Sequence, residues 1–246
     1  GTNSMPFEDY MELRGLSLTV TNFLSSDELI PLRKFMFEYE FDLARWLFNI
    51  HEQLSNLPEI YENYKAFLRE TKDELFPSRE ALINFYNNQE NYESLLSGKL
   101  GDNLLRKYRS ILLFNHFEQY VELAIEEARK IAVKSFEGEK GDKLFDDMKK
   151  YLLTRDIKKY YIDSHEKKKE SFSFNYDLPC WLKNSNGNKR LGDFYESCEY
   201  ISEISENTNR RFTNVLEMNR DFELSLQMLY RDGTVRDFWP VLTEKK

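Results

Sequence analysis

Between Asn103 and Ala132 the apolar residues Leu105, Tyr108, Leu112, Phe114, Phe117, Val121, Ala124, Ala128 and Ile131 recur mostly three or four positions apart. That is the spacing of one face of a helix. Leu113, Tyr120, Leu123 and Ile125 widen the face until little polar circumference remains. Only a helix surrounded by other helices tolerates that. A turn with two glycines, Gly98 and Gly101, leads into it. The stretch therefore predicts one long central helix and, around it, a mainly α multi-helix bundle with a smaller C-terminal α+β portion.

The rest of the chain agrees with that class. Its 246 residues suffice for one sizeable core, alone or with a smaller module. Nineteen Phe and fifteen Tyr against nine Gly and six Pro favour packed helices over a turn-rich β architecture. A net charge of -8 opposes nonspecific binding to nucleic acid or to an anionic membrane. No run reaches the roughly 18–20 apolar residues of a membrane span, and no leader pattern opens the chain, which predicts a cytoplasmic protein. Cys180 and Cys198 are too few for a disulfide framework and read as reduced thiols. Gly1 to Ser4 resembles a cloning scar ahead of Met5. Residues 6–155 are expected to form a helical bundle domain, with 156–246 a subdomain packed on it.

Along the chain, Leu16, Leu18 and Val20 alternate with small polar residues and predict a strand or extended arm within Pro6 to Thr21. Ser26, Asp27 and Glu28 read as the capped start of a helix. Further helices are expected over Asp42 to Leu54, from Pro58 to about Leu75, over Arg79 to Tyr86, over Gln89 to Leu96 and over Asp142 to Leu153. Phe172, Phe174 and Tyr176 alternate as in a strand. From Asp193 to Glu206, Glu196, Glu199, Glu203 and Glu206 share one arc of a helical wheel opposite Phe194, Cys198, Ile201 and Ile204. That separation favours a helix, with a strand as the alternative. Turns are expected at 184–188 and at Asp232 and Gly233, helices after Asn207 and from Phe222 to Tyr230, then a short tail, Val235 to Leu242.

Signals of chemistry are sparse. None of His51, His116 and His165 follows a Glu by three positions, and the sequence after His51 departs from the His-Glu-x-x-His zinc arrangement. No Walker loop or nucleophile elbow occurs. His116, among aromatics on the central helix, is the histidine that could act as acid or base; a core histidine with one hydrogen bond is the plainer reading. Arg106, Lys107 and Arg109 could clamp an anion, or pair with surface carboxylates. Cys180 sits in an apolar run that would keep its thiol inert. The Glu203 arc could face a basic partner, or only solvent.

Several stretches together resemble the C-terminal region of cobalamin-dependent radical SAM proteins. They are Pro6 to Gly15, Tyr64 to Thr71, Ser78 to Leu82, Gly98 to Arg109 and Tyr176 to Leu182. The resemblance implies a helical region packed near the open end of a radical SAM barrel that follows a cobalamin-binding domain. The three-cysteine cluster motif of that family is absent here, and holding the cluster that splits SAM takes three thiolates. The implied role is a noncatalytic accessory domain that docks on the barrel, in cis or trans, and shapes substrate access. It carries no cofactor of its own, and SAM, iron–sulfur cluster and cobalamin belong to the upstream domains. Arg14, Asn103, Arg106, Tyr108, Arg109 and His116 are the residues expected near the contact. Two other readings are a small-molecule-binding or enzymatic helical domain with a pocket at His116, and a protein-interaction module.

Overall fold

A computed structural model describes residues 5–96, 100–101, 103–132, 136, 138–161, 169–184, 189–218, 221–231 and 234–245. The helices are α1 Phe7–Thr19, α2 Ile30–Glu38, α3 Leu43–Gln53, α4 Pro58–Asp73, α5 Arg79–Tyr86, α6 Gln89–Leu96, α7 Leu104–Asn115, α8 Phe117–Lys130, α9 Glu139–Leu153, α10 Ile157–Tyr161, α11 Leu178–Lys183, α12 Glu206–Glu217 and α13 Phe222–Leu229. Strands β1 Glu170–Phe174, β2 Cys198–Glu203 and β3 Val241–Glu244 form an antiparallel sheet with β2 in the middle. Phe172 faces Tyr200, and Ile201 faces Thr243. The fold is mainly α with a small C-terminal α+β portion. Among the described residues no helix is long and apolar enough to cross a membrane.

Local chemistry sets several boundaries. Asp42 accepts from the Arg45 amide at the start of α3, Ser78 from Ala81 at α5, and Asp221 from Glu223 and Leu224 at α13. Pro58 opens α4, where its missing N–H costs nothing. One apolar cluster draws on both halves of the chain, from Phe23 to Phe238. In it Phe35 meets Phe41, Phe136 and Phe145 edge to face, and the Trp46 indole donates to the Ala124 carbonyl at 2.9 Å, tying α3 to α8. A smaller cluster of Leu18, Phe67, Leu104 and Tyr108 joins α1, α4 and α7.

The expected single central helix is two. His116, with φ -131° and ψ 33°, leaves the helical region between α7 and α8. The break turns Phe114 onto Phe222 while Phe117 packs beside Tyr120, so both rings bury against different neighbours. The expected N-terminal strand is helix α1, followed by a π-helical turn, Val20–Leu24. Its inward residues Gly15, Leu18 and Thr19 are spaced by helical turns, and a Cβ on Gly15 would overlap the Tyr64 ring of α4. Close approach of two helices therefore overrides the alternating pattern. The helix expected at Ser26 begins at Ile30, leaving Glu28 buried in the connection.

Residues 193–206 take the alternative form. After a 3₁₀ turn, Leu191–Phe194, they become strand β2, which buries Tyr200 and Ser202 and pairs with strands on both sides. The acidic arc is consequently dissolved: Glu199 pairs with Lys245 at 2.8 Å and Glu203 with Lys169 at 3.2 Å. Ser205, rather than Asn207, caps α12. The tail beyond residue 234 is a 3₁₀ turn, Thr234–Phe238, and strand β3. Cys180 is exposed rather than enclosed in apolar surroundings, and Cys198 is the cysteine whose thiol burial pushes up to about 12. Gly98, most of the 184–188 turn, and the turn at Asp232 and Gly233 lie outside the described residues.

Candidate functional site: an acid-rimmed groove

The small cluster beneath α4 and α7 fixes the site. Phe67 and Tyr108 meet edge to face at 5.8 Å, and the Asn63 amide donates to the Tyr108 carbonyl at 3.0 Å. These contacts hold α7 so that the preceding residue, Lys107, rises between α4 and α13. Its ammonium donates to the Glu70 carboxylate at 2.9 and 3.0 Å and lies 3.6 Å from that of Glu223. Burial works against its charge, but the two carboxylates prevail and hold it above the usual lysine range.

Glu70, Lys107 and Glu223 form the divide between two hollows. On one side a hollow of about 600 Å³ carries the carboxylates of Glu70, Asp73, Glu74, Asp221 and Glu223 over an apolar lining that includes Phe76, Leu82, Phe85 and Leu224. On the other, a more open hollow of about 380 Å³ is lined by Glu59, Glu62, Arg69, Tyr108 and His116 among others. The outer wall of the first is Phe76 with α5, which α6 extends into an arm beyond the lining. Its rings pack on one another, Phe76 and Phe85 at 5.1 Å, yet neither helix contains a buried residue. Leu82, Ile83, Tyr92, Leu95 and Leu96 are exposed along it. Gly101, with φ +75°, turns the chain from this arm back towards α7, a conformation that costs glycine little.

The six residues singled out from the sequence divide among four places. Tyr108 and His116 meet at the second hollow, where the His116 Nδ1 is 3.3 Å from Glu59. Burial and the neighbouring Glu70 carboxylate raise the Tyr108 phenol, so it stays protonated. Asn103 caps α7 by accepting from the Arg106 amide at 3.2 Å. Arg14 lies over the Phe67 ring at 5.3 Å. Arg109 turns inward, its guanidinium 3.3 Å from the Glu28 carboxylate. The anion it clamps is thus supplied by the chain itself.

Around Glu28 the interior is densely polar. Ser26 donates to the same carboxylate, and the Tyr120 hydroxyl donates to the Asn22 carbonyl at 2.7 Å and lies 2.7 Å from the Ser26 hydroxyl. Arg155 donates to the Glu28 backbone carbonyl at 2.6 Å. Arg236 closes the outer side through Asp27. Ser26 and Arg109 both meet Oε2 of a carboxylate only 1% exposed, while its Oε1 is buried without a hydrogen-bond partner, so the guanidinium is the counter-charge that its burial requires.

Sequence reading found Lys107, Tyr108, His116 and both helices of the arm, but not Glu70, Glu223 or the groove they line. The acids at the end of α4, Glu70, Asp73 and Glu74, were the available signal. Among the described residues no group of three or more His, Cys, Asp and Glu is arranged to hold a metal ion. Cys180 lies on α11 and Cys198 on β2, its thiol directed to the Phe174 carbonyl. Two such thiols do not supply the three thiolates by which a SAM-splitting iron–sulfur cluster is held. No protein-family model, curated protein or solved structure matches this chain.

Proposed function

We propose that this chain is a noncatalytic helical docking domain and that the groove at Glu70, Lys107 and Glu223 is its working face. One observation carries the reading. The α5–α6 arm has no buried residue and leaves apolar side chains uncovered beside a hollow of about 600 Å³. Contiguous uncovered apolar surface edged by polar groups is characteristic of interaction sites. The resemblance in the sequence nominates what the domain docks on: a radical SAM barrel with its cobalamin-binding domain, in cis or trans in the cytoplasm. SAM, cluster and cobalamin are then held by those domains.

Leu82→Asp and Leu96→Asp place charges on exposed apolar positions of the arm. Thermal unfolding is expected to stay unchanged while co-sedimentation with a cobalamin-dependent radical SAM protein of the same cell is lost. Undiminished association of the double variant would remove the groove from the interface. Absence of association by the unaltered chain would remove that partner.

A further inference from the structure

We infer that the groove accepts a basic, apolar stretch of polypeptide and that Lys107 occupies part of the cation's place until the partner arrives. The inference rests on the docking reading above and adds the partner's chemistry. Among the described residues lining the larger hollow, the carboxylates of Glu70, Asp73, Asp221 and Glu223 stand around one cation, Lys107. Asp73, Asp221 and Glu223 are exposed at its rim. Carboxylates crowded on one side of a low-dielectric wall repel phosphate and carboxylate ligands and attract ammonium or guanidinium groups. Phe76, Phe85 and Leu224 supply an apolar surface that a lysine or arginine stem, or a neighbouring leucine, can cover. The exposed Ile83, Tyr92 and Leu96 lie on the arm beyond that lining. A small amine would leave them wet, whereas a polypeptide segment covers groove and arm together.

Lys107 makes the inference testable. Its ammonium holds Glu70 and Glu223 together and its side chain is 20% exposed, so an incoming cation competes with it for the same oxygens. Removing it should strengthen binding of a basic partner, the reverse of what losing a surface ion pair does to an ordinary interface.

Fluorescence anisotropy with labelled synthetic peptides of about twelve residues reads this out. One peptide alternates Lys and Leu amphipathically, a second replaces Lys by Glu, and a third replaces Leu by Ser. Only the Lys/Leu peptide is expected to bind, more weakly as salt rises. Lys107→Met should tighten it, and the charge reversal Glu223→Lys at an exposed position should weaken it, each by about fivefold. Equal binding of the Glu/Leu peptide overturns the cationic preference, as does unchanged affinity in both variants. Full displacement of the peptide by phenethylammonium overturns the polypeptide in favour of a small organic amine. Should binding ignore charge yet disappear in Leu82→Asp, this inference fails and the docking reading stands. Binding that survives Leu82→Asp, or no peptide binding at all, sinks both.

Discussion

Glu28 and Glu223 carry the same charge under opposite conditions. Glu28 is withdrawn from water and met by Arg109 and Ser26, with Arg155 on its own backbone carbonyl. Glu223 stands half in solvent and shares a single lysine with Glu70. In the interior a missing partner would leave an uncompensated charge, so folding itself enforces neutralisation. At the rim water screens the excess, and acids can outnumber cations at little cost to stability. An imbalance of charge thus survives only where something outside the chain can still answer it.

The comparison breaks most visibly at Glu28. Glu28→Ala strips Arg109 and Ser26 of their acceptor and is expected to lower unfolding free energy by about 3–5 kcal/mol in urea denaturation. A loss below about 1 kcal/mol would mean that the buried network is not what holds the connection before α2. A smaller effect belongs to His51, which is half-buried with its Nδ1 2.8 Å from the Thr19 hydroxyl. Burial depresses its pKa below the ordinary 6.5, against the pull of Glu12 and Glu52. The unfolded chain therefore takes up the proton first. Stability from this residue is complete above pH 6.5 and declines as the pH falls through it, levelling once the folded form is protonated as well. His51→Gln should flatten that limb of a stability–pH curve, and an unaltered slope would assign the loss to other groups. Smallest of all, Glu223→Gln should shift stability by no more than about 0.5 kcal/mol in the same denaturation experiment.

Sequence alone made α3, α4, α5 and α6 legible because each carries its own punctuation or period: Asp42, Pro58 and Ser78 at starts, apolar residues at helical spacing within. It misjudged α1, where Leu16, Leu18 and Val20 alternate, because the deciding contact is with Tyr64, 49 positions beyond Gly15. Strand β2 was missed as first choice for a related reason. The wheel that grouped Cys198, Ile201 and Ile204 is a one-dimensional property, whereas the buried pair Tyr200 and Ser202 is chosen by pairing with β1 and β3. At the groove the legible residues were those on the crowded helix. Glu70 and Glu223 come from distant segments and become neighbours only through Lys107.

The connection holding Asp27 and Glu28 has one further consequence, in time rather than space. Its partners are Arg109, Arg155 and Arg236, so an early segment waits on groups spread across the following two hundred residues of the chain. Loop closures of that span make for slow, topology-limited folding. On a ribosome the first helices emerge long before their last guanidinium, and until Arg236 arrives the nascent chain holds an acid that nothing has yet claimed.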